Sequence, residues 1–368
     1  MGSRLKLVFS LIIIFMLFIF VNSGLTSFYP KYGNLDDIDA LSAVAIDGTT
    51  GKILFAKNPH LKIPPASTTK LVTAMVVLDN LPLDAKVKIS KTAANTPSIP
   101  PKLYPGEVYT VKDLLYLMLM KSSNQAAVAL AEAVAGSEDN FTVLMNEKIR
   151  SLGLKESHFS SASGLPAPNQ YTTSYDLAMI LYEALKYPLI KKIINTRVKI
   201  IKSARGRTLI IKNTNHLLRD PSLRAEIIGG KTGFTRASKH CLVNAIKFHD
   251  RLIITAILGA PKRSILWRDS KKLIKFSELV LENKVSPVFI TTVVNTNMLA
   301  SSKFSEFYYR RYYRRRYYHR YYRRRYHRHY RRHKRYRRHS YHKRHYHRYY
   351  RRYSYKRRYS YKKRYHRH

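Results

Sequence analysis

The sequence predicts an α+β domain in which an antiparallel sheet, drawn from both ends of the folded stretch, packs between helices. Three observations lead there. Residues 42–58 (SAVAIDGTTGKILFAKN) read as strand, turn and strand. Residues 110–185 carry successive helical patterns. Residues 226–260 give three strand-like runs, and residues 263–282 close the stretch with a helical one. Strand pairs at both ends with helices between them are the pattern of one sheet covered by helical layers.

Each element has its own warrant. In the first hairpin the turn cluster Asp47–Gly51 separates two apolar runs. Pro64 and Pro65 stop any earlier helix and impose an extended entry. Residues 71–78 (LVTAMVVL) are apolar almost all round, which marks a helix buried inside a domain. Residues 110–137 form two helical segments broken at Lys121–Asn124, and Gly136 stops the second. Residues 137–153 read as an amphipathic helix with Val143, Leu144, Ile149 and Leu152 inward and Gly153 at its C-terminal cap. Thr173 and Asp176 have the spacing of a capping box at the head of the next helix. The last two strand-like runs are joined by His249–Asp250, as in an antiparallel hairpin.

The folded domain is therefore expected over residues 36–285, with a linker over 286–306. At the N-terminus, Arg4 and Lys6 precede a 15-residue apolar run, Leu7–Val21, with small residues after it. Residues 1–23 read as a secretory signal peptide; the competing reading is an uncleaved membrane anchor. Cys241 is the only cysteine, so no intrachain disulfide and no thiolate metal cluster can form. Its expected place is that of a small buried apolar residue. His158, His216 and His240 are expected to be structural, and no spacing suggests zinc.

The net charge of +46 is uneven. Residues 307–368 hold 28 Lys and Arg, 20 Tyr, 10 His and no acidic residue, which leaves +18 for residues 1–306. A segment without aliphatic residues builds no core, so this basic tail is expected to be disordered on its own.

Three short motifs carry chemistry. Ser67 and Lys70 stand one helical turn apart at the mouth of the buried helix, where free N–H groups and the helix dipole favour developing negative charge. A hydroxyl beside a neutral amine is an activated nucleophile. Ser122-Ser123-Asn124 fills the break between two apolar helices, and Lys231-Thr232-Gly233 follows a double glycine in a strand. In this order they make the triple signature S-x-x-K, S-x-N, K-T-G of penicillin-binding proteins and class A β-lactamases.

Residues 42–75, 121–165 and 229–247 resemble the corresponding stretches of the serine-type D-alanyl-D-alanine carboxypeptidases, the low-molecular-mass penicillin-binding proteins. The resemblance covers roughly residues 40–285. It implies a penicillin-binding-protein/β-lactamase-like transpeptidase fold over the domain, no cofactor, and action on peptidoglycan stem peptides ending in D-Ala-D-Ala, with β-lactam antibiotics as covalent inhibitors. It assigns Ser67 as nucleophile and Lys70 as general base. A free lysine titrates near ~10.4, so Lys70 has to be held neutral by burial and by a nearby positive charge such as Lys231. Ser122 would relay a proton to the leaving amine, and Asn124 would orient Lys70 and donate to the substrate amide. Lys231 and Thr232 would hold the terminal carboxylate. Gly229, Gly230 and Gly233 would let the backbone approach the ligand. The N–H groups of Ser67 and Phe234 would form the oxyanion hole, each donor worth about 2.7–4 kcal/mol of barrier.

Two departures from the family pattern stand out: no room for the small β-rich second domain many relatives carry, and Ser123 in the middle of the second motif. Alternatives within the enzymes are a β-lactamase, for which the expected loop Ser157–Thr173 lacks any acidic residue, and a peptidoglycan DD-endopeptidase. An inactive wall-binding protein is the alternative outside them. The chain is expected to be exported to the periplasm or another extracytoplasmic space, peripheral to membrane or wall. The tail suits anionic lipid or an anionic wall polymer; export argues against nucleic acid as its partner.

Overall fold

The computed structural model describes residues 38–292. The expected signal segment, the basic tail and most of the linker lie outside the described residues.

Strands β1 (Ser42–Asp47) and β2 (Ile53–Lys57) form the first hairpin. Its turn is fixed by Asp47, whose carboxylate accepts from Thr49 N–H (2.9 Å) and Thr50 Oγ1 (2.7 Å), while Gly51 adopts φ +77°. A 3₁₀ turn (Ala66–Thr69) leads into α1 (Lys70–Asn80), in which every residue from Lys70 to Val77 is buried. There follow β3 (Lys86–Lys88), α2 (Lys91–Asn95), β4 (Val108–Thr110), α3 (Val111–Met120), α4 (Asn124–Ala135), α5 (Glu138–Ser151), α6 (Ser174–Ala184) and α7 (Pro188–Asn195). Two hairpins come next, β5 (Val198–Lys202) with β6 (Thr208–Lys212), and β7 (Glu226–Thr235) with β8 (Lys239–Phe248). Strand β9 (Arg251–Ala260), α8 (Arg263–Leu281) and β10 (Val288–Ile290) complete the order.

The main sheet runs β10-β2-β1-β9-β8-β7, so the first hairpin lies beside the last strands, as the sequence pattern implies. Its two faces bury different residues. Val44, Ile46, Val243, Ala245, Ile254 and Ala256 face a core shared with α1 and α3 to α7. Ala43, Ala45, Leu242, Ile246, Ile253 and Ile257 face a second core closed by Leu266, Leu273, Ile274, Phe276 and Val280 of α8. Because both faces are covered, the inner strands are apolar without alternation.

Four expectations need correction. The sheet is mixed rather than purely antiparallel, because β10 runs parallel to β2 at the edge. The same strand means that the linker expected over 286–306 begins as part of the domain. Val143 is 56% exposed; the inward stripe of α5 is Phe141, Met145 and Ile149, spaced by four, which leaves Val143 on the opposite side. The capping box at α6 is half formed. Thr173 Oγ1 accepts from Asp176 N–H (3.0 Å), but the Asp176 carboxylate accepts from Glu156 N–H (3.0 Å) and Ser157 Oγ (2.8 Å) instead of returning to the cap.

Candidate active site

Ser67 sits in the 3₁₀ turn, half-buried, directly before α1. The turn is held from both sides. Thr68 Oγ1 donates to Pro65 O (2.6 Å) and Thr69 Oγ1 to Ala66 O (2.8 Å). Ala66 has φ +49°, a left-handed conformation that costs a non-glycine residue roughly 1–2 kcal/mol. Gly164, at φ +74°, lies against the Ala66 carbonyl so closely that a Cβ there would overlap it. Strand β7 passes the other side: a Cβ on Gly233 would come 3.1 Å from Ser67 N and from Ala66 Cβ. Gly233 is thus glycine because strand and nucleophile turn touch.

Lys70 is fully buried. Its Nζ lies 2.9 Å from Ser67 Oγ and 2.7 Å from Asn124 Oδ1, and it also donates to Ser163 O. Asn124 is oriented by its own Nδ2, which donates to Pro97 O (2.7 Å), so its oxygen must face the lysine. Two of the three partners of Lys70 are pure acceptors and the third is a hydroxyl. A neutral amine has two N–H groups and one lone pair, and this set matches it, with the lone pair toward the Ser67 hydroxyl. Burial first, and then the charge of Lys231, hold the Lys70 amine well below its ordinary range, while Glu138 pulls it back up.

Lys231 is also buried, at 1% exposure, and burial pushes its amine down to about 7. Its Nζ donates to Ser122 Oγ (3.0 Å) and to Thr232 O (2.7 Å). Ser122, at φ +61°, therefore bridges toward the third motif; its hydroxyl accepts from Lys231, not from Lys70 as the relay role would require. Thr232 Oγ1 is 2.8 Å from Thr214 Oγ1, and Phe234 is 57% exposed with its ring 4.4 Å from that of His240. The double glycine serves packing. A Cβ on Gly229 would meet Ile194 of α7 at 2.6 Å, and one on Gly230 would overlap Val243 O and Asn244 of β8. Both glycines are thus accounted for by the close packing of β7 on α7 and β8.

Several contributors escaped the sequence reading. Ser163 acts through its carbonyl, which no side-chain motif reveals. Gly164 had a signal, as the only glycine between 153 and 206 in a serine-rich loop. Glu138 comes from the first turn of α5 and accepts from Ala162 N–H (2.9 Å), beside the Ser163 carbonyl. The loop without acidic residues thus receives a carboxylate from a neighbouring helix. The remaining expectations concern bystanders. His216 stacks on Trp267 with ring centroids 5.0 Å apart, His158 stacks on Tyr171, and Cys241 is buried.

Residues 30–262 match the peptidase S11 family model, described as D-alanyl-D-alanine carboxypeptidase. The chain belongs to that family. It is 35% identical over 227 residues to the D-alanyl-D-alanine carboxypeptidase DacF of Bacillus subtilis, covering 60% of this chain and 58% of the relative. It is 34% identical over 257 residues to a D-alanyl-D-alanine endopeptidase of Escherichia coli, covering 68% of this chain and 80% of the relative. Among solved structures it is similar to the Streptomyces K15 DD-transpeptidase, with a TM-score of 0.61, 32% identity, and coverage of 65% of this chain and 97% of that one. The fold is therefore that of the DD-transpeptidases, a family of serine peptidases.

Proposed function

We propose that the chain is a serine-type D-alanyl-D-alanine carboxypeptidase that removes the terminal D-Ala from peptidoglycan stem peptides and is acylated by β-lactams. The observation that carries this reading is the Lys70 amine, buried and held between Asn124 Oδ1, Ser163 O and the Ser67 hydroxyl. In that setting Lys70 takes the Ser67 proton as Oγ attacks the penultimate carbonyl. The oxyanion is received by the N–H groups of Ser67 and Phe234, which the close approach at Gly233 supports. Lys231 and Thr232 receive the terminal carboxylate; binding an anion restores the charge that burial disfavours on Lys231. The amine of the departing D-Ala takes its proton by way of Ser122, which needs a rearrangement of the Ser122 hydroxyl from Lys231. Water then hydrolyses the acyl-serine.

The test is mass spectrometry of the protein after penicillin, with peptide mapping. The adduct is expected on Ser67, and Ser67→Ala should neither label nor release D-Ala. An adduct on Ser122, or activity in Ser67→Ala, overturns the assignment. A second reading, endopeptidase cleavage of cross-links, is favoured by the names of the Escherichia coli and Pseudomonas aeruginosa relatives, both 34% identical. Turnover of a cross-linked dimer exceeding that of a D-Ala-D-Ala pentapeptide would support it.

The place of action follows the chemistry: a wall enzyme works outside the cytoplasm, and residues 1–23 have the pattern of an export signal. Among the described residues no helix is long and apolar enough to cross a membrane. The tail, residues 307–368 with 28 Lys and Arg and no acid, holds the enzyme on anionic lipid or wall polymer.

A further inference from the structure

The β5–β6 hairpin stands apart from the main sheet. Its inner side chains, Ile201, Leu209 and Ile211, are buried in the helical core. Its outer face is apolar too: Val198 is 47%, Ile200 55% and Ile210 64% exposed, and Ile200 and Ile210 are directly paired across the strands. Such side chains scattered singly are ordinary on a protein surface, but a contiguous set on one sheet face marks an interaction site. The frame of this patch is basic. Lys212 pairs with Val198 and Lys202 with Thr208, and Arg205 occupies the connecting turn. All three are exposed, and among the described residues none has an ion pair. The charge extends beyond the hairpin. Residues 184–219 contain ten Lys and Arg and no Asp or Glu. The acids that flank this stretch are already used, Glu183 on Lys186 and Asp220 on Lys271, and Glu107 is on Arg207.

The geometry points to the outer face of the β5–β6 hairpin as a docking surface for an anionic lipid bilayer. Val198, Ile200 and Ile210 enter the headgroup region, and Lys202, Arg205 and Lys212 lie on lipid phosphates. The charge complementarity favours an anionic partner of any kind. The isoleucines decide for lipid, because a wall polyanion offers them no apolar phase, whereas a bilayer interface takes apolar side chains framed by Lys and Arg. This site is separate from the tail and independent of the reaction assigned to Ser67. It also has a fixed relation to the cleft: β6 runs directly into Asn213 and Thr214, and Thr214 Oγ1 meets Thr232 Oγ1 at 2.8 Å. A bilayer under the hairpin therefore sets the orientation of the substrate-binding strand.

The test places a reporter on the face. Full chain carrying Ile210→Trp and Trp267→Phe is mixed with vesicles of phosphatidylglycerol and phosphatidylcholine whose acyl chains are brominated. The matching control carries Val143→Trp and Trp267→Phe, with the reporter at an exposed site on α5, and penicillin labelling verifies that every variant is folded. The indole of the Ile210→Trp variant is expected to shift to the blue and lose emission on anionic vesicles, whereas that of the Val143→Trp variant does neither. Adding Lys202→Gln, Arg205→Gln and Lys212→Gln should weaken the loss, as should salt. Equal responses at the two positions would mean that the rest of the chain binds and the hairpin does not, and would overturn the proposal. So would a blue shift produced by polyglycerol phosphate with no lipid quenching, which would indicate a wall polymer. A blue shift that grows with protein concentration before lipid is added would indicate a second copy and likewise reject it.

Discussion

A buried lysine amine is held neutral by desolvation and nearby positive charge, and it serves as a base only if oxygen partners fix its direction. Asn124, Ser163 and Ser67 meet that condition around Lys70. Glu138 is the group that opposes neutrality, since its charge favours protonated Lys70. Glu138→Gln removes the charge and keeps an oxygen for the Ala162 N–H. Lys70 then loses its proton at lower pH, so the acid limb of penicillin acylation should move to lower pH. Stopped-flow acylation rates across pH measure this; a shift to higher pH contradicts it. Gly164 sets geometry rather than charge. Gly164→Ala adds a Cβ where the Ala66 carbonyl lies, at φ +74°, and should cost more than about 2 kcal/mol. Urea unfolding should show that loss together with slowed labelling of Ser67.

Elements differ in how openly the sequence announces them. The first hairpin, the buried helix after Ser67, the break at Lys121–Asn124 and the closing helix were all legible, because each has an apolar run bounded by turn or capping residues. The β5–β6 hairpin was not. Its apolar residues point both inward and outward, which erases the alternation that identifies a half-buried strand. Strands β3 and β4 have three residues each, too few for any period. At the site the side-chain motifs were readable, and the backbone carbonyl of Ser163 and the carboxylate brought from α5 were not, since both depend on how distant loops pack. Ser123 shows a residue whose position in a motif conceals an element-level task. Its Oγ accepts from Ala126 N–H at 3.2 Å and caps α4. Ser123→Ala should lower stability by ~1 kcal/mol in chemical denaturation. Penicillin labelling should stay near normal, because Asn124 is held independently by Ser98 and Pro97.

For the whole molecule, charge is divided between a domain-bearing stretch of +18, residues 1–306, and a tail of +28. Truncation after residue 306 should sharply reduce co-sedimentation with cell wall and anionic vesicles at low salt, while hydrolysis of a small soluble peptide continues. Unchanged sedimentation on both surfaces would remove the tail from anchoring. With 10 histidines in the tail, co-sedimentation of the full chain should strengthen as pH falls below about 6.5. Within the sheet, Cys241 lies on β8 directly across from Gly233, fully buried, with burial pushing its thiol up to about 11. Such a thiol meets an alkylating reagent only when the packing around β8 opens. The chain thus contains a natural clock within its own sheet: the rate at which Cys241 is alkylated counts the openings of the core beside the strand that carries Lys231, and acylation by a β-lactam should slow that clock.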